Sequence, residues 1–304
     1  MNVIDIQNLT KKFPLGFFKG TALALDCVSI QVAEGEIHGF LGQNGAGKTT
    51  TLKIMMGFNR ATSGNVRLFD RQCDHPSVRE RIGYLPEHPY FYDYLTAQEF
   101  LIFYAQLFGK RRFDPIPLLA RVGLEGARSK RLRTFSKGML QRIGIAQALI
   151  NDPHLLVLDE PMSGLDPAGR MLVRNLLMEV KQSGRTVFLS SHIISDIEMV
   201  CDCVTILHKG KIRVSGKVAD LLRRAAVPRV MTLAGLRPEA VDSLKLRGLA
   251  VSGDTASLSV ELFSDTEISD VLEIVRQQGG QLISLVPMRA SLESVFMDAI
   301  VEER

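Results

Sequence analysis

The nine residues from Gly42 to Thr50, Gly-Gln-Asn-Gly-Ala-Gly-Lys-Thr-Thr, constrain the fold more than any other stretch of the chain. Gly42, Gly47, Lys48 and Thr49 fill the fixed places of a G-x-x-x-x-G-K-[ST] pattern. An apolar run from Ile37 to Leu41, with His38 as its polar break, precedes it. Lys48 to Met56 reads as a helix closed by Gly57. A loop between a buried strand and a helix start suits a polyphosphate. Glycines leave room where a Cβ would clash. Successive N–H groups converge as an anion nest, and the helix N-terminus adds partial positive charge. On this reading Gly42, Gln43, Asn44, Gly45, Ala46, Gly47, Lys48, Thr49 and Thr50 surround the phosphates. Lys48 reaches the β- and γ-phosphates, and the Thr49 hydroxyl ligates Mg²⁺.

The 304 residues suffice for one large domain, or for one with a smaller appendage. A net charge of +4 is too small to call for a nucleic-acid partner. Four cysteines, Cys27, Cys73, Cys201 and Cys203, show no C-x-x-C spacing and read as free thiols in a reducing cytoplasm. The N-terminus has no basic segment followed by an apolar core, so no signal peptide is expected. No run approaches the roughly 20 apolar residues that span a bilayer. Any role at a membrane is therefore expected to run through a partner or a surface contact.

Taken in order, residues 1–35 read as antiparallel strands, with Val28, Ile30 and Val32 alternating with polar or small neighbours. A short strand follows at Asn65 to Phe69, giving a small β layer. Phe13 lies in that layer, with Phe17 and Phe18 just after; it either stacks on an adenine ring or packs as an ordinary core or loop residue. All five tyrosines fall between residues 84 and 104: Tyr84, Tyr90, Tyr92, Tyr94 and Tyr104. Part of this cluster reads as an interface, where tyrosine pairs apolar area with a polar tip, and part as packing on local helices. Thr96 to Glu99 forms a capping box. Residues 110–133 are basic and irregular, either a solvated helical face or a surface drawn to anionic lipid.

Ser136 is a good N-cap for a helix to about residue 150. Leu155-Leu156-Val157-Leu158-Asp159-Glu160 reads as a buried parallel strand presenting two acids at its C-terminal end. Asp166-Pro167 starts a helix through about Gln182. Thr186 to Ser190 is another buried strand, leading to Ser191-His192. A capping box from Ser195 to Glu198 is expected to start the next helix, and a hairpin around His208-Lys209-Gly210 follows. Repeated strand–helix alternation predicts a mostly parallel, doubly wound α/β sheet. The composition changes near Ala225 to Pro228, and a small α+β unit follows. Its strands are expected near Val230–Leu233, Leu249–Val251, Ser257–Leu262 and Leu282–Val286. One helix opens with a capping box, Ser264 to Glu267, and stops at Gly279-Gly280; a last helix runs from Ser291 to about Val301.

Together these residues resemble the nucleotide-binding subunits of ATP-binding cassette (ABC) transporters, over about residues 1–220. Gly42–Thr50 matches the Walker A loop, Leu155–Glu160 Walker B with its adjoining glutamate, Ser163-Gly164-Leu165-Asp166 the D-loop, and His192 the switch histidine. Phe135-Ser136-Lys137-Gly138-Met139 stands where the family signature reads Leu-Ser-Gly-Gly-Gln, keeping Ser136 and Gly138. The Ser-Lys-Gly-Met form is similar to that of single-domain bacterial exporter ATPases. Glu87 replaces the family's Q-loop glutamine; a carboxylate oxygen can serve a metal as an amide oxygen does.

The resemblance implies a P-loop NTPase sheet with an antiparallel β layer and a helical subdomain at about 88–150, an ATPase domain over 1–222, and a small C-terminal α+β accessory domain over 228–304. It implies ATP and Mg²⁺ as cofactors, with Thr49, Asp159 and Glu87 at the metal. Glu160, His192 and Lys48 become the catalytic residues, and Ser136 with Gly138 a γ-phosphate site. Two copies, or one copy and a close relative, are implied to sandwich two nucleotides and drive a permease carried on separate chains, at the cytoplasmic face of the membrane. An importer ATPase and a soluble ABC ATPase of DNA repair or translation are the alternatives. No long coiled coil separates the two Walker motifs, and a single cassette is present.

Overall fold

A computed structural model describes residues 2–15, 20–224, 229–253, 257–287 and 291–301. Phe17, Phe18, the composition change at 225–228 and Asp254 of the Gly253-Asp254 turn lie outside the described residues. The chain forms two compact units: residues 1–219 with 296–304, and residues 220–295.

In the first unit the strands are β1 (Asn2–Pro14), β2 (Thr21–Ala33), β3 (Ile37–Leu41), β4 (Ser63–Leu68), β5 (Arg71–Gln72), β6 (Ile82–Leu85), β7 (Leu155–Asp159), β8 (Thr186–Ser191), β9 (Cys203–His208) and β10 (Lys211–Lys217). The helices are α1 (Lys48–Met55), α2 (Pro76–Arg79), α3 (Ala97–Leu107), α4 (Ile116–Arg121), α5 (Lys137–Leu149), α6 (Pro167–Gln182) and α7 (Ile194–Val200), and α8 (Val218–Arg224) crosses the division. One sheet runs β10-β9-β3-β8-β7-β6. Its five strands from β9 to β6 are parallel, and β10 is a hairpin partner. Every residue of β3, β7 and β8 is buried, the reason these strands read as apolar runs without alternation. The second sheet, β2-β1-β4-β5, is antiparallel and buries one face, so β2 alternates. A core that includes Leu52, Leu155, Val157, Phe40 and Phe188 joins α1, the parallel sheet and the antiparallel layer.

This topology puts four loops at one edge. The C-terminal ends of β3, β7, β8 and β9 carry the Gly42–Thr50 loop, the two acids, His192 and the Lys209-Gly210 turn, the rim where open α/β sheets bind ligands.

The second unit contains β11 (Arg229–Ala234), α9 (Pro238–Leu246), β12 (Ala250–Gly253), β13 (Leu258–Leu262), α10 (Asp265–Gln278) and β14 (Gln281–Pro287); α11 (Leu292–Val301) follows and crosses the second division. Its sheet, β12-β13-β11-β14, is antiparallel and packs Met231, Leu233, Val260 and Leu262 against Ala240, Leu244, Val271 and Val275.

Two local expectations need correction, and one helix lies beyond them. The Ser195–Glu198 capping box does not form: α7 starts at Ile194, straight off β8, and Ser191 Oγ accepts the Ile193 N–H at 2.9 Å instead. At α10, Ser264 Oγ takes the Glu267 N–H at 3.1 Å, but Glu267 Oε2 accepts the Phe263 N–H at 2.6 Å, so the reciprocal arm reaches one residue further back. Helix α9 was not anticipated, because Arg237 at its N-cap offers no capping oxygen and its apolar stripe is short.

Candidate nucleotide site

Backbone geometry shapes the loop between β3 and α1. Gly42 is buried, and a Cβ there would stand 2.5 Å from the Leu207 carbonyl oxygen. Gly47 has φ +112°, with Leu25 Cδ2 and the Ala24 carbonyl oxygen 2.7 and 2.8 Å from a would-be Cβ. Both positions therefore demand glycine. Gly47 is also the N-cap of α1 and offers no side-chain acceptor, so the first-turn amides stay directed at the loop. Gln43, Asn44, Gly45, Gly47, Lys48, Thr49 and Thr50 line a cleft together with Ala24, Glu87 and Glu160. Ala46 is buried behind it.

Lys48 is buried, and its Nζ donates to the Gly42 carbonyl at 2.7 Å. It also stands 3.2 Å from Glu160 Oε1. The other carboxylate oxygen of Glu160 meets His192 Nδ1 at 2.8 Å and the His192 N–H at 3.4 Å. One carboxylate thus bridges a buried ammonium and an imidazole whose side chain is 42% exposed. Glu160 itself has φ +53°, a left-handed conformation in which its N–H reaches Ser190 Oγ at 3.0 Å and its carbonyl accepts from Gln141 Nε2 at 3.1 Å.

Asp159, one residue earlier on β7, points elsewhere because side chains alternate along a strand. It is fully buried. Its Oδ1 accepts the Ser190 hydroxyl at 2.5 Å, and its Oδ2 has no hydrogen-bond partner among the described residues. Burial pushes the Asp159 carboxyl above its usual range; the Ser190 and Thr49 hydroxyls pull it down, and the Glu87 and Glu160 charges add to the rise. Burial, helped by Asp159 and Glu87, likewise pushes the Tyr84 phenol up to about 12. Asp159, Thr49 and Glu87 are close enough to feel one another, and all three offer oxygen. An orphaned buried carboxylate oxygen in an oxygen-only donor set suits a hard divalent cation such as Mg²⁺.

Ser136 and Gly138 do not line this cleft. They sit at the N-terminus of α5, where Ser136 Oγ accepts the Met139 N–H at 3.2 Å. The Lys137 chain lies against Gly164, where a Cβ would meet its Cδ at 2.7 Å. Phe13 does not line the cleft either; it is 36% exposed on β1 opposite Ala22, with Lys11 Nζ 4.8 Å from its ring centre. Ala24, two residues along β2, is the lining residue.

Residues 25–163 match the sequence profile of the ABC transporter family. An ABC transporter ATP-binding protein of Synechocystis is 39% identical over 99% of this chain and 85% of its own length. The chain belongs to the ABC transporter ATP-binding proteins. A fluoroquinolones export ATP-binding protein of Mycobacterium tuberculosis is 39% identical over 69% of each chain. A dimeric bacterial ABC transporter cassette superposes with a TM-score of 0.64 over 71% of this chain and 98% of that one, at 25% identity. As a member of this family the protein binds and hydrolyses ATP as the energy-converting subunit of a transporter, on a P-loop α/β fold.

Ser190, Gln141 and Ala24 join the site without any sequence signal. Ser190 reaches Asp159 because β7 and β8 run parallel with those two residues in register.

Proposed function

We propose that the chain powers a membrane exporter: two copies close around two ATP molecules and move a permease carried on separate chains. The observation behind the chemistry is the bridged Glu160 carboxylate, held between Lys48 and His192 at the rim of the phosphate loop. Phosphoryl transfer to water needs charge neutralisation and an oriented nucleophile more than covalent help. Lys48 exchanges Glu160 Oε1 and the Gly42 carbonyl for β- and γ-phosphate oxygens when ATP enters. That exchange leaves Glu160 on His192, free to accept a proton from the attacking water. Thr49, Asp159 and Glu87 would hold Mg²⁺, which supplies positive charge to the phosphates. His192 keeps the Glu160 carboxylate oriented and reaches the γ-phosphate.

Ser136 and Gly138 stand outside this chain's own cleft, which fits their offering the α5 N-terminus to the nucleotide of a second copy. ATP would favour the closed pair and hydrolysis release it, a population shift set by γ-phosphate contacts. Among the described residues no helix is long and apolar enough to cross a membrane. The working place in this reading is the cytoplasmic face, reached through the permease, as for a transporter's ATP-binding subunit. The relative named for fluoroquinolones export and the Ser136-Lys137-Gly138-Met139 signature support export over import. The 228–304 region is read as an accessory domain with a regulatory or dimer-supporting role.

Glu160→Gln is the test. It is expected to bind ATP and accumulate as a dimer on gel filtration, while hydrolysis falls by at least about 100-fold, the scale of a lost general base. Turnover like wild type would sink the assignment.

A further inference from the structure

At the opposite end of the parallel strands from the nucleotide cleft, three potential metal ligands meet. Glu36 directly precedes β3 and His38 is the second residue of that strand. His38 pairs in parallel register with Cys203, the first residue of β9. One ligand atom from each of Glu36, His38 and Cys203 lies within 4.8 Å of the other two. Glu36 Oε1 stands 3.1 Å from His38 Nδ1, and the Cys203 thiol donates to Glu36 Oε2 at 3.6 Å. Tetrahedral zinc with ordinary bond lengths spaces nitrogen and oxygen ligands by ~3.4 Å, and sulfur and oxygen ligands by ~3.6 Å. The Cys203–Glu36 separation matches the sulfur–oxygen spacing and the His38–Glu36 separation is shorter than the nitrogen–oxygen one; they run to the two oxygens of one carboxylate, so the Glu36 side chain turns to present a single oxygen when a cation binds.

The surroundings are those of a held imidazole. His38 Nε2 is 2.9 Å from Thr205 Oγ1, which in turn meets Ser215 Oγ at 2.8 Å. Metal-bound histidines are oriented through their second nitrogen in this way. The His38 ring is buried and stacks on Phe188 with centroids 5.6 Å apart, whereas Glu36 and Cys203 are half-buried and leave a route from solvent. The nearby charges are Asp202, whose carboxylate takes the Ile37 N–H and Lys181, and Lys217, paired with Cys203 across β10. Burial, then the Glu36 carboxylate, push the Cys203 thiol up to about 11.

We propose that Glu36, His38 and Cys203 form a binding site for a zinc-class divalent cation, with a fourth position left to solvent. The thiolate and imidazole select zinc and its borderline-soft neighbours over Mg²⁺, so this site is chemically separate from the nucleotide's metal. Binding displaces the Cys203 thiol proton to solvent and staples β3, the strand that feeds the phosphate loop, to β9.

The test titrates the chelator-stripped full-length chain with Co²⁺, a spectroscopic stand-in for zinc. One equivalent is expected to bind with thiolate-to-cobalt charge-transfer absorption, to be displaced by Zn²⁺, and to raise the melting temperature. Cys203→Ser loses that band, while Cys27→Ser and Cys73→Ser keep it. Thr205→Val weakens binding roughly 10- to 100-fold, the usual effect of losing an outer partner. A wild-type chain without the band, or a band that survives Cys203→Ser, overturns the proposal. If Cys203→Ser does not fold, His38→Gln decides: loss of binding supports the site and unchanged Co²⁺ affinity refutes it.

Discussion

Asp159 ionises only against the cost of burial. Its carboxyl is fully buried, with one oxygen unpartnered and its pKa raised. A raised folded pKa means that this group's stabilisation is complete below the unfolded carboxylate pKa and is lost as pH rises through the folded value. In chelator, Asp159→Asn is therefore expected to melt above wild type at pH 8 and to lose that advantage near pH 4. Added Mg·ATP should stabilise wild type but not the variant. Equal melting temperatures at both pH values would contradict this. Lys48 and Thr49 are legible from the spacing of the phosphate-loop pattern, Asp159 and Glu160 from the apolar strand they end, and His192 only from the family resemblance. Ser190 was not legible: a serine ending an apolar strand announces nothing until the neighbouring strand's register sets it beside Asp159. The same blindness separates Cys203 from His38, which in the sequence is only the polar break of an apolar run; a parallel pairing 165 residues away makes the contact.

Elements announced themselves where the end chemistry was local. Thr96, Ser136 and Asp166 all cap as their sequences predict, each side chain accepting from the third residue on. Helices α7 and α10 departed because the neighbouring strand or the preceding residue offered an alternative partner. Element packing, by contrast, is written in positions that look silent. Gly83, in the middle of β6, has a negative φ, yet a Cβ there would stand 2.0 Å from the Ala148 carbonyl oxygen and 2.9 Å from Pro153 Cγ. Strand β6 and helix α5 approach so closely that only hydrogen fits between them. Gly83→Ala is expected to destabilise the first unit by about 3 kcal/mol, the upper end of ordinary overpacking costs. Denaturant unfolding would read this as a lower midpoint, and an unchanged midpoint would show that the pair can part freely.

At the scale of the molecule, the aromatic surface before α3 is the feature the ATPase chemistry does not use. Tyr90 is 79% exposed and Tyr94 64%, and both rings lean on Tyr92, at 5.8 and 6.1 Å between centroids. Tyr92 in turn packs on Phe103 at 5.4 Å. Tyr84 stands apart, against Phe58 on the sheet side. If this patch docks the permease, Tyr90→Ser with Tyr94→Ser should leave the isolated chain's ATP turnover unchanged. Each change should cost about 2 kcal/mol of docking, the scale of an aromatic anchor. Co-purification from membranes measures it, and an undiminished permease yield would send the search elsewhere on the surface.

The hydrogen bond from Gln141 to the Glu160 carbonyl has a reach beyond its own cleft. Gln141 lies five residues past Ser136 on α5, only ~7.5 Å along the axis. In the proposed pair, the helix whose tip touches a neighbour's nucleotide therefore also grips the backbone of its own proton acceptor. Two such engines would not idle or fire independently: each would feel the stroke of the other through a single rigid rod.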